Sequence, residues 1–411
     1  MERYRSIPPQ AKRLIYLSFV PSFAIGFIYT DLSYFLTTVR GFSASFMGAV
    51  IMIMGLTTVA VAIPAGILAD RYGRKRFLVA GNLLASFALA ALALMTSKAG
   101  LMAAAMIEGA SEAAFVTANQ SMLAELAGDR SRTPAYALTG FLSNVAWGLS
   151  GFAIPAVILI ESFGMGGVKA HILLYLLLAA LSLACTPFLY FLPDTKAVHG
   201  AKGLPDLLPR KSLGVILRYG LAALLVAFGA GMFVPLMAQW FRYAFGVPDT
   251  LSGPVIGISG FLIAAATLSG PHLAGKLGLV KAIVATETLS IVFMLAMPSC
   301  PNFALAGAVY IARSFLMNMA HPLSTSLIMG LVDPAERGAA SGLTAAMWRF
   351  PNSLGAGTGA GWMGAGHLAR PFYAASALYA ASIAVFWAFF RNARLPEEAP
   401  AGKPAPISEV G

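Results

Sequence analysis

The sequence predicts an all-α membrane protein in which twelve transmembrane helices form two pseudo-symmetric six-helix bundles. Three observations lead to this prediction: a set of long apolar segments, an uneven distribution of basic residues among the connections, and an internal repeat. Of the 411 residues, 58% are hydrophobic and only 11% are charged. Soluble domains devote about a quarter of their residues to Asp, Glu, Lys and Arg, so this composition excludes a water-soluble fold.

The apolar segments are long enough to cross a bilayer. A helix needs about 20 apolar residues to span the hydrocarbon core, and backbone polar groups in lipid must pair within their own segment. We therefore expect twelve transmembrane helices, numbered here as spans 1 to 12. They are 14–37, 44–68, 76–96, 100–126, 135–160, 170–192, 213–241, 250–274, 280–298, 303–331, 338–362 and 371–390.

Basic residues predict the orientation of these spans. Of the 28 Lys and Arg residues, 20 fall in the two terminal segments and in the connections on the same side of the membrane, and five fall on the opposite side. Because basic residues accumulate in cytoplasmic segments, we expect both termini in the cytoplasm. The expected location is the plasma membrane.

A shift of 205 residues aligns the two halves of the chain. Five glycines of the first half fall on five glycines of the second: Gly26, Gly41, Gly48, Gly55 and Gly73 on Gly231, Gly246, Gly253, Gly260 and Gly278. Repeated halves of equal topology imply a two-fold axis along the membrane normal, with a substrate cavity between them. We expect an N-terminal bundle over 1–192, a cytoplasmic loop over 193–212, a C-terminal bundle over 213–391 and a disordered tail over 392–411.

The connection between spans 2 and 3 carries a motif. It reads Gly66-Ile67-Leu68-Ala69-Asp70-Arg71-Tyr72-Gly73-Arg74-Lys75-Arg76. This connection resembles the signature loop of the major facilitator superfamily, G-x-L-a-D-r-x-G-r-k, and the twelve-span repeat extends the resemblance over nearly the whole chain. The resemblance implies that the loop latches the two halves on the cytoplasmic side, with Gly66, Asp70, Arg71, Gly73, Arg74 and Lys75 as the gating residues. In the second half, Gly275 stands where the aspartate would be, so we expect a one-sided latch.

Five ionisable residues inside the spans are the substrate or proton-coupling candidates. A charge at the bilayer centre costs roughly 2.5–3.5 kcal/mol on insertion scales, so each calls for a role. The acidic ones lie in the first half and the basic ones in the second: Asp31 in span 1, Glu108 and Glu112 in span 4, Arg313 in span 10 and Arg349 in span 11. Secondary cavity candidates are Tyr34, Asn119, Met317, His321 and Asn352.

This distribution predicts an acidic wall facing a basic wall across a translocation path. A carboxylate beside an arginine can exchange protons as its surroundings change. The alternative is a set of structural salt bridges that fix helix packing. The resemblance implies that spans 1, 4, 7 and 10 line the cavity and that spans 2, 5, 8 and 11 support the interface between the halves.

We expect a secondary active transporter that moves a small solute by alternating access, coupled to protons, with drug or metabolite efflux as one form. The alternatives are an uncoupled facilitator, an uptake symporter for a small organic anion or zwitterion, and a non-transporting membrane sensor or scaffold. Superfamily members that couple to protons often carry the pattern R-x-x-x-G in span 4, and here Ala105 stands where that arginine would be, four residues before Gly109. Superfamily drug/proton exporters usually carry a Gly-Pro pair late in span 5, and this chain has none there. Both departures argue against a standard drug/proton antiporter. No phosphate-binding, catalytic or metal-ligand motif is present. We therefore predict no enzyme activity, no cofactor, no metal and no nucleic acid partner, and a monomer in the bilayer whose ligands are a small solute and protons.

Overall fold

A computed structural model of the protein describes residues 7–194, 211–333 and 336–392. Helices account for most of these residues, which contain no strand. Each of the twelve predicted spans coincides with a helix or a broken helix, which confirms the predicted fold class. The spans are Pro9–Val39, Ala44–Tyr72, Arg74–Leu94, Lys98–Gly128, Pro134–Ser162, Gly167–Tyr190, Leu213–Phe245, Asp249–Leu277, Leu279–Ser299, Phe303–Leu331, Arg337–Gly364 and Arg370–Phe390.

Several spans are broken within their length. Span 1 consists of helices Pro9–Leu17 and Phe19–Tyr34 followed by a π-helical turn, Phe35–Val39. Spans 4 and 5 form one helical run, Lys98–Ala153, that is interrupted at Gly128, where φ is +64°. Span 7 is divided into Leu213–Gly231, Val234–Leu236 and Met237–Phe245. Gly246 caps the C-terminus of the last segment.

Eleven helices of the described chain are long and apolar enough to cross a membrane. Span 11 is as long as the others, but its sequence is rich in glycine and includes Arg349 and Asn352. Span 11 packs against both span 2 and span 7. A helix enclosed on two sides needs less apolar surface, because fewer of its side chains face lipid.

Two pairs of glycines show that the repeat is structural. Gly73 and Gly278, 205 positions apart, separate span 2 from span 3 and span 8 from span 9, with φ of +105° and +81°. Gly41 and Gly246 occupy the equivalent turns before spans 2 and 8, with φ of +73° and +70°. A side chain disfavours this backbone region, so both halves use the same tight connections.

Close approach of small residues joins the two halves. Spans 2 and 11 meet where a Cβ added at Gly48 or Gly55 would collide with Ala360 or Ser353. Spans 5 and 8 meet where Gly151 abuts the backbone of Gly253. Such contacts allow helix backbones to pack closely within a membrane.

These contacts are concentrated toward one end of the molecule. We call the end where span 1 begins and span 12 ends the terminal end, and the opposite end the distal end. Toward the terminal end of the same four spans, a Cβ added at Gly66, Gly140, Gly275 or Gly342 would meet nothing described within 4 Å. The halves therefore contact each other closely at the distal end, and no such contact is described at the terminal-end glycines.

The predicted loop and tail lie mostly beyond the described residues. Span 6 ends at Tyr190 and span 7 begins at Leu213, on either side of the predicted loop 193–212. Residues 195–210 of this loop and 393–411 of the predicted disordered tail are outside the described chain. The boundaries of the two bundles stay a prediction.

Candidate functional site between the halves

An ion pair crosses the interface between the halves at the middle of the molecule. Arg349 of span 11 donates from Nη2 to Oε1 of Glu112 in span 4. The Glu112 side chain is 5% exposed, whereas that of Arg349 is 34% exposed. The carboxylate is therefore enclosed by protein, whereas the Arg349 side chain is partly accessible.

Two hydroxyl groups complete the surroundings of the carboxylate. Nη1 of Arg349 donates to the Tyr29 hydroxyl at 2.7 Å, and this hydroxyl donates to Glu112 Oε2 at 3.3 Å. The Thr58 hydroxyl lies 3.0 Å from the Met54 carbonyl oxygen and 3.3 Å from Glu112 Oε2. Spans 1, 2, 4 and 11 thus meet at one carboxylate, which accepts hydrogen bonds from both halves.

Small residues bring these spans together. A side chain at Gly109, one turn before Glu112, would collide with the Met54 carbonyl oxygen, so this glycine lets span 4 approach span 2. Gly26 of span 1 lies against Trp147 of span 5, whose ring stacks on the Tyr29 ring with centroids 5.5 Å apart. Glycine packing therefore sets the position of the Tyr29 hydroxyl.

The pair has no counterpart at the symmetry-related place. The 205-residue shift relates Glu112 to Met317 and Arg349 to Asn144. Asn144 donates to the Gly140 carbonyl oxygen of its own helix, at 3.0 Å. The two halves share a fold, but only one of the two equivalent helix crossings carries opposite charges.

Glu108 forms no ion pair with Arg349 or Arg313. It is 3% exposed and lines a small cavity inside the first half together with Glu112, Asn82 and Ser182. Ser111 donates to the Glu108 backbone carbonyl at 2.7 Å and lies 3.4 Å from its carboxylate. Glu108 therefore faces the interior of its own bundle.

Arg313 lies within the second half. It donates from Nη2 to the Tyr379 hydroxyl at 2.6 Å, and its guanidinium carbon is 4.7 Å from the centre of the Phe233 ring. It is 4% exposed, and its Nε has no hydrogen-bond partner among the described residues. Aromatic faces and a phenol surround this cation, and no described carboxylate forms an ion pair with it.

Asp31 lies at the distal end of span 1. It is fully buried, and its Oδ2 accepts a 3.0 Å hydrogen bond from Tyr175 of span 6. Of the five predicted charges, the structure thus brings together only Glu112 and Arg349. Instead of facing each other as continuous acidic and basic walls, Glu108, Arg313 and Asp31 each contact other groups.

The secondary candidates are scattered over the structure. Tyr34 is buried distally beside His171, and Asn119 accepts a 3.2 Å hydrogen bond from Ser18 within the first half. Asn352 donates to the Ala227 carbonyl oxygen at 3.2 Å in the second half. Met317 is half-buried, and His321 is exposed in the terminal half of span 10.

The signature loop makes contacts within the first half. Arg74 pairs with Glu125 of span 4 at 2.7 Å, and the backbone N–H of Lys75 donates to Asp194 at 3.3 Å. Arg71 is exposed and lies over the Tyr72 ring. The Asp70 side chain is outside the described part of the chain, so the cytoplasmic latch stays a prediction.

Sequence reasoning missed several residues of the polar clusters. Thr58 and Trp147 gave no signal, because a hydroxyl and an indole are common in any span. His171 and Tyr175 could have been noticed, since they are four residues apart on one face of span 6. Asp249 directly precedes the predicted span 8, so it was not among the ionisable residues within spans, although it is 1% exposed.

Comparison with known proteins identifies relatives of this chain. The sequence model of the Major Facilitator Superfamily matches residues 14–356. The inner membrane transport protein YajR of Escherichia coli (strain K12) is 36% identical over 121 residues, which are 29% of this chain and 25% of YajR. The match thus spans about a quarter of the length of YajR.

Solved structures with similar folds cover nearly the whole chain. The nucleoside transporter NupG superposes with a TM-score of 0.72 at 15% identity, over 93% of this chain and 98% of NupG. A bacterial homologue of the human lysosomal transporter Spinster, inward-facing and unoccupied, gives 0.75 at 14% identity, over 94% and 96%. The human organic anion transporter MFSD10 gives 0.63 at 17% identity, over 92% and 100%. These identities show a shared fold.

Proposed function

Because this chain belongs to the Major Facilitator Superfamily and is a membrane transporter rather than an enzyme, we propose that it moves a small solute by proton-coupled alternating access. The observation that carries the proposal is the Glu112–Arg349 ion pair, which links the two halves at mid-molecule. Halves that rock about a central site must exchange contacts there. A contact whose strength depends on a proton can link that exchange to proton binding.

The arrangement of the halves supports alternating access. The distal ends are closed by glycine contacts, and no comparable contact is described at the terminal ends of spans 2, 5, 8 and 11. If the termini lie in the cytoplasm, as the basic residues predict, this is an inward-open state. Arg349 is then reached from the cytoplasmic side, since one third of its side chain is exposed.

Protonation of Glu112 provides the coupling step. An ionised carboxylate accepts from Arg349 and Tyr29, and separating the halves would leave this charge enclosed and unpaired, at a cost of several kcal/mol. A proton on Glu112 removes the charge and weakens the attraction to Arg349. Proton binding therefore favours the conformation in which the pair is separated, which is the linkage that coupling needs.

The exposed guanidinium indicates the class of solute. Arginine binds carboxylates and phosphates through paired N–H donors, and Arg349 shares its donors between Tyr29 and Glu112. A solute with an anionic group or a strong hydrogen-bond acceptor would compete with Glu112 for these donors. NupG is a nucleoside transporter and MFSD10 an organic anion transporter, so nucleosides and organic anions are the first solutes to test.

The test is solute flux in proteoliposomes. A thermal-shift screen of the purified protein against nucleosides, organic anions and zwitterionic amino acids would select a radiolabelled solute. Its flux would then be measured with a pH gradient of either sign and without one, which also gives the direction of coupling. The Glu161→Gln variant, which changes an exposed carboxylate, serves as the matched control.

We expect flux of the wild type and of Glu161→Gln to follow the gradient, and flux of Glu112→Gln to be indifferent to it. Wild-type flux that ignores the gradient would indicate an uncoupled facilitator. A solute that is bound but never transported would favour a sensor.

A further inference from the structure

A second ion pair joins the halves at the distal end. His171 of span 6 and Asp249, the first residue of span 8, face each other with 2.7 Å between Nε2 and Oδ2. Their side chains are 9% and 2% exposed. This pair is buried between helices of different halves and lies apart from Glu112 and Arg349.

Hydrogen-bond geometry requires a proton in this pair. Nδ1 of His171 is 2.8 Å from the carbonyl oxygen of Gly167, which can only accept, so Nδ1 carries a hydrogen. Nε2 faces a carboxylate oxygen at 2.7 Å, and two lone pairs do not approach so closely. A further proton therefore lies between His171 and Asp249, and without it the contact would be repulsive.

A second buried carboxylate adjoins the pair. Asp31 accepts from the Tyr175 hydroxyl at 3.0 Å and is close enough to interact electrostatically with both His171 and Asp249. Its Oδ1 is buried and has no hydrogen-bond partner among the described residues. The Phe35 ring stacks on Tyr175 at 4.5 Å and lies 6.3 Å from the His171 ring, which excludes water from the group.

The other titratable or charged groups near the cluster form no ion pair with it among the described residues. Arg40 lies over the Phe35 ring at 5.7 Å. Tyr34 of span 1 lies beside the His171 ring with centroids 6.4 Å apart. Arg242 at the distal end of span 7 donates to the Gly246 carbonyl oxygen at 2.6 Å. Two carboxylates and one imidazole thus share the site, and a proton is the positive charge that lies directly between His171 and Asp249.

The fold itself does not require these residues. At a shift of 205 residues, His171 corresponds to Ser376, Asp249 to Ala44 and Asp31 to Leu236. The residues at the equivalent place are Ser376, Ala44 and Leu236, and none of them is ionisable. A buried ionic group at only one of two equivalent places indicates a role beyond packing.

We propose that His171, Asp249 and Asp31 form a proton-binding site that locks the distal ends of the two halves together. With its proton, the pair holds span 6 of the first half against span 8 of the second. Loss of the proton leaves Nε2 and the carboxylate facing each other as two acceptors, and the distal ends separate. The distal opening is therefore expected to increase as the pH rises.

Distance measurements on the substrate-free protein test this proposal. In a background with Cys185→Ala and Cys300→Ser, spin labels on Val168→Cys and Leu251→Cys would report the separation of spans 6 and 8 in nanodiscs. Both positions are exposed and lie at the distal ends of their spans. Double electron–electron resonance would be recorded between about pH 5 and pH 9, the range in which histidine groups titrate.

Two variants remove the titration but keep a hydrogen bond. In Asp249→Asn the amide donates to Nε2, and in His171→Gln the amide donates to the Asp249 carboxylate. His367→Gln is the matched control, since His367 is an exposed histidine at the same end of the molecule.

We expect a longer-distance population, shifted by on the order of 5 Å, to grow with pH in the wild type and in His367→Gln. It should not respond to pH in Asp249→Asn or His171→Gln. A wild type without pH response, or a response retained in both variants, would overturn the proposal. Recording the same series in a Glu112→Gln background removes the proposed titration of Glu112, so the distal response can be judged independently of coupling through that residue.

Discussion

Arg349 in span 11 reaches across the interface between the two halves and hydrogen-bonds to Glu112 in span 4, with the Tyr29 hydroxyl bridging the two groups. The acid is almost fully buried and its partner is partly exposed. The energetic consequences of removing either group are therefore unequal. This asymmetry leads to the first prediction.

Arg349→Ala is expected to lower the stability of the protein by about 2 kcal/mol, because it leaves the Glu112 carboxylate enclosed without its cation. Glu112→Gln should have a smaller effect, since the remaining guanidinium is one third exposed and can be hydrated. Thermal unfolding in detergent would rank the variants. Adding Glu112→Gln to Arg349→Ala should restore part of the lost stability, and a double variant no better than Arg349→Ala would contradict an electrostatic origin.

Gly151→Ala is expected to disturb the distal closure. The added methyl group would collide with the Gly253 carbonyl oxygen, so spans 5 and 8 must move apart. Overpacking of this kind costs about 1–3 kcal/mol, which here would oppose the distally closed state. The labels proposed on spans 6 and 8 would report a larger open population. Gly140→Ala, in the same span but facing open space, should leave the distribution unchanged.

Gly278→Ala tests the tight turn between spans 8 and 9. Its φ of +81° lies in the region that side chains avoid, although no described atom would contact the new methyl group. We expect a loss of about 1–2 kcal/mol from backbone strain alone. Gly275→Ala is the control, because Gly275 is helical and also faces open space. Equal unfolding temperatures for the two variants would show that the turn relaxes without strain.

Glu336 predicts a pH effect outside the membrane. Its Oε1 and Oε2 accept from the backbone N–H groups of Lys211 and Ser212 at 3.0 and 2.8 Å, fastening the start of span 7 to the connection before span 11. The N–H of Lys211, followed by the groups of Ser212, lowers the pKa of Glu336 below its ordinary value. The stabilisation is therefore present above the unfolded pKa of about 4.3 and is lost as the pH falls through the lower folded value.

We expect Glu336→Gln to increase hydrogen exchange at the start of span 7 at neutral pH. The difference from the wild type should vanish below the folded pKa of Glu336. Exchange measured by mass spectrometry on peptides covering 211–216 would check this, with Glu161→Gln as an exposed carboxylate control. A difference that is constant over the acidic range would argue against a role for the ionised carboxylate.

Particular residues show how far the sequence could predict the site. Placing Glu112 and Arg349 in different halves followed from their positions in the chain, but Glu108 and Arg313 have the same distribution and do not meet. Which of two acids one turn apart faces the other half depends on the rotation of span 4 about its axis. That rotation is set by contacts such as Gly109 against the Met54 carbonyl, which no periodicity in the sequence reveals.

The pairing of His171 with Asp249 in the distal cluster could not be predicted, for a related reason. His171 and Asp249 are both near helix ends, where polar residues are usually solvated. They are buried because spans 6 and 8 converge distally, and this convergence depends on the conformational state of the whole molecule. A sequence does not say which end of such a transporter is closed.

The sequence by itself determined the twelve spans, the 205-residue repeat and the superfamily. It could do so because apolar length and turn glycines such as Gly73 and Gly278 act locally, in every conformation of the chain. Only the tertiary structure decided which charges pair, since pairing depends on helix rotation and on the distance between the two halves. The long-range contacts Glu112–Arg349 and His171–Asp249 are therefore known from the fold and not from the order of the residues.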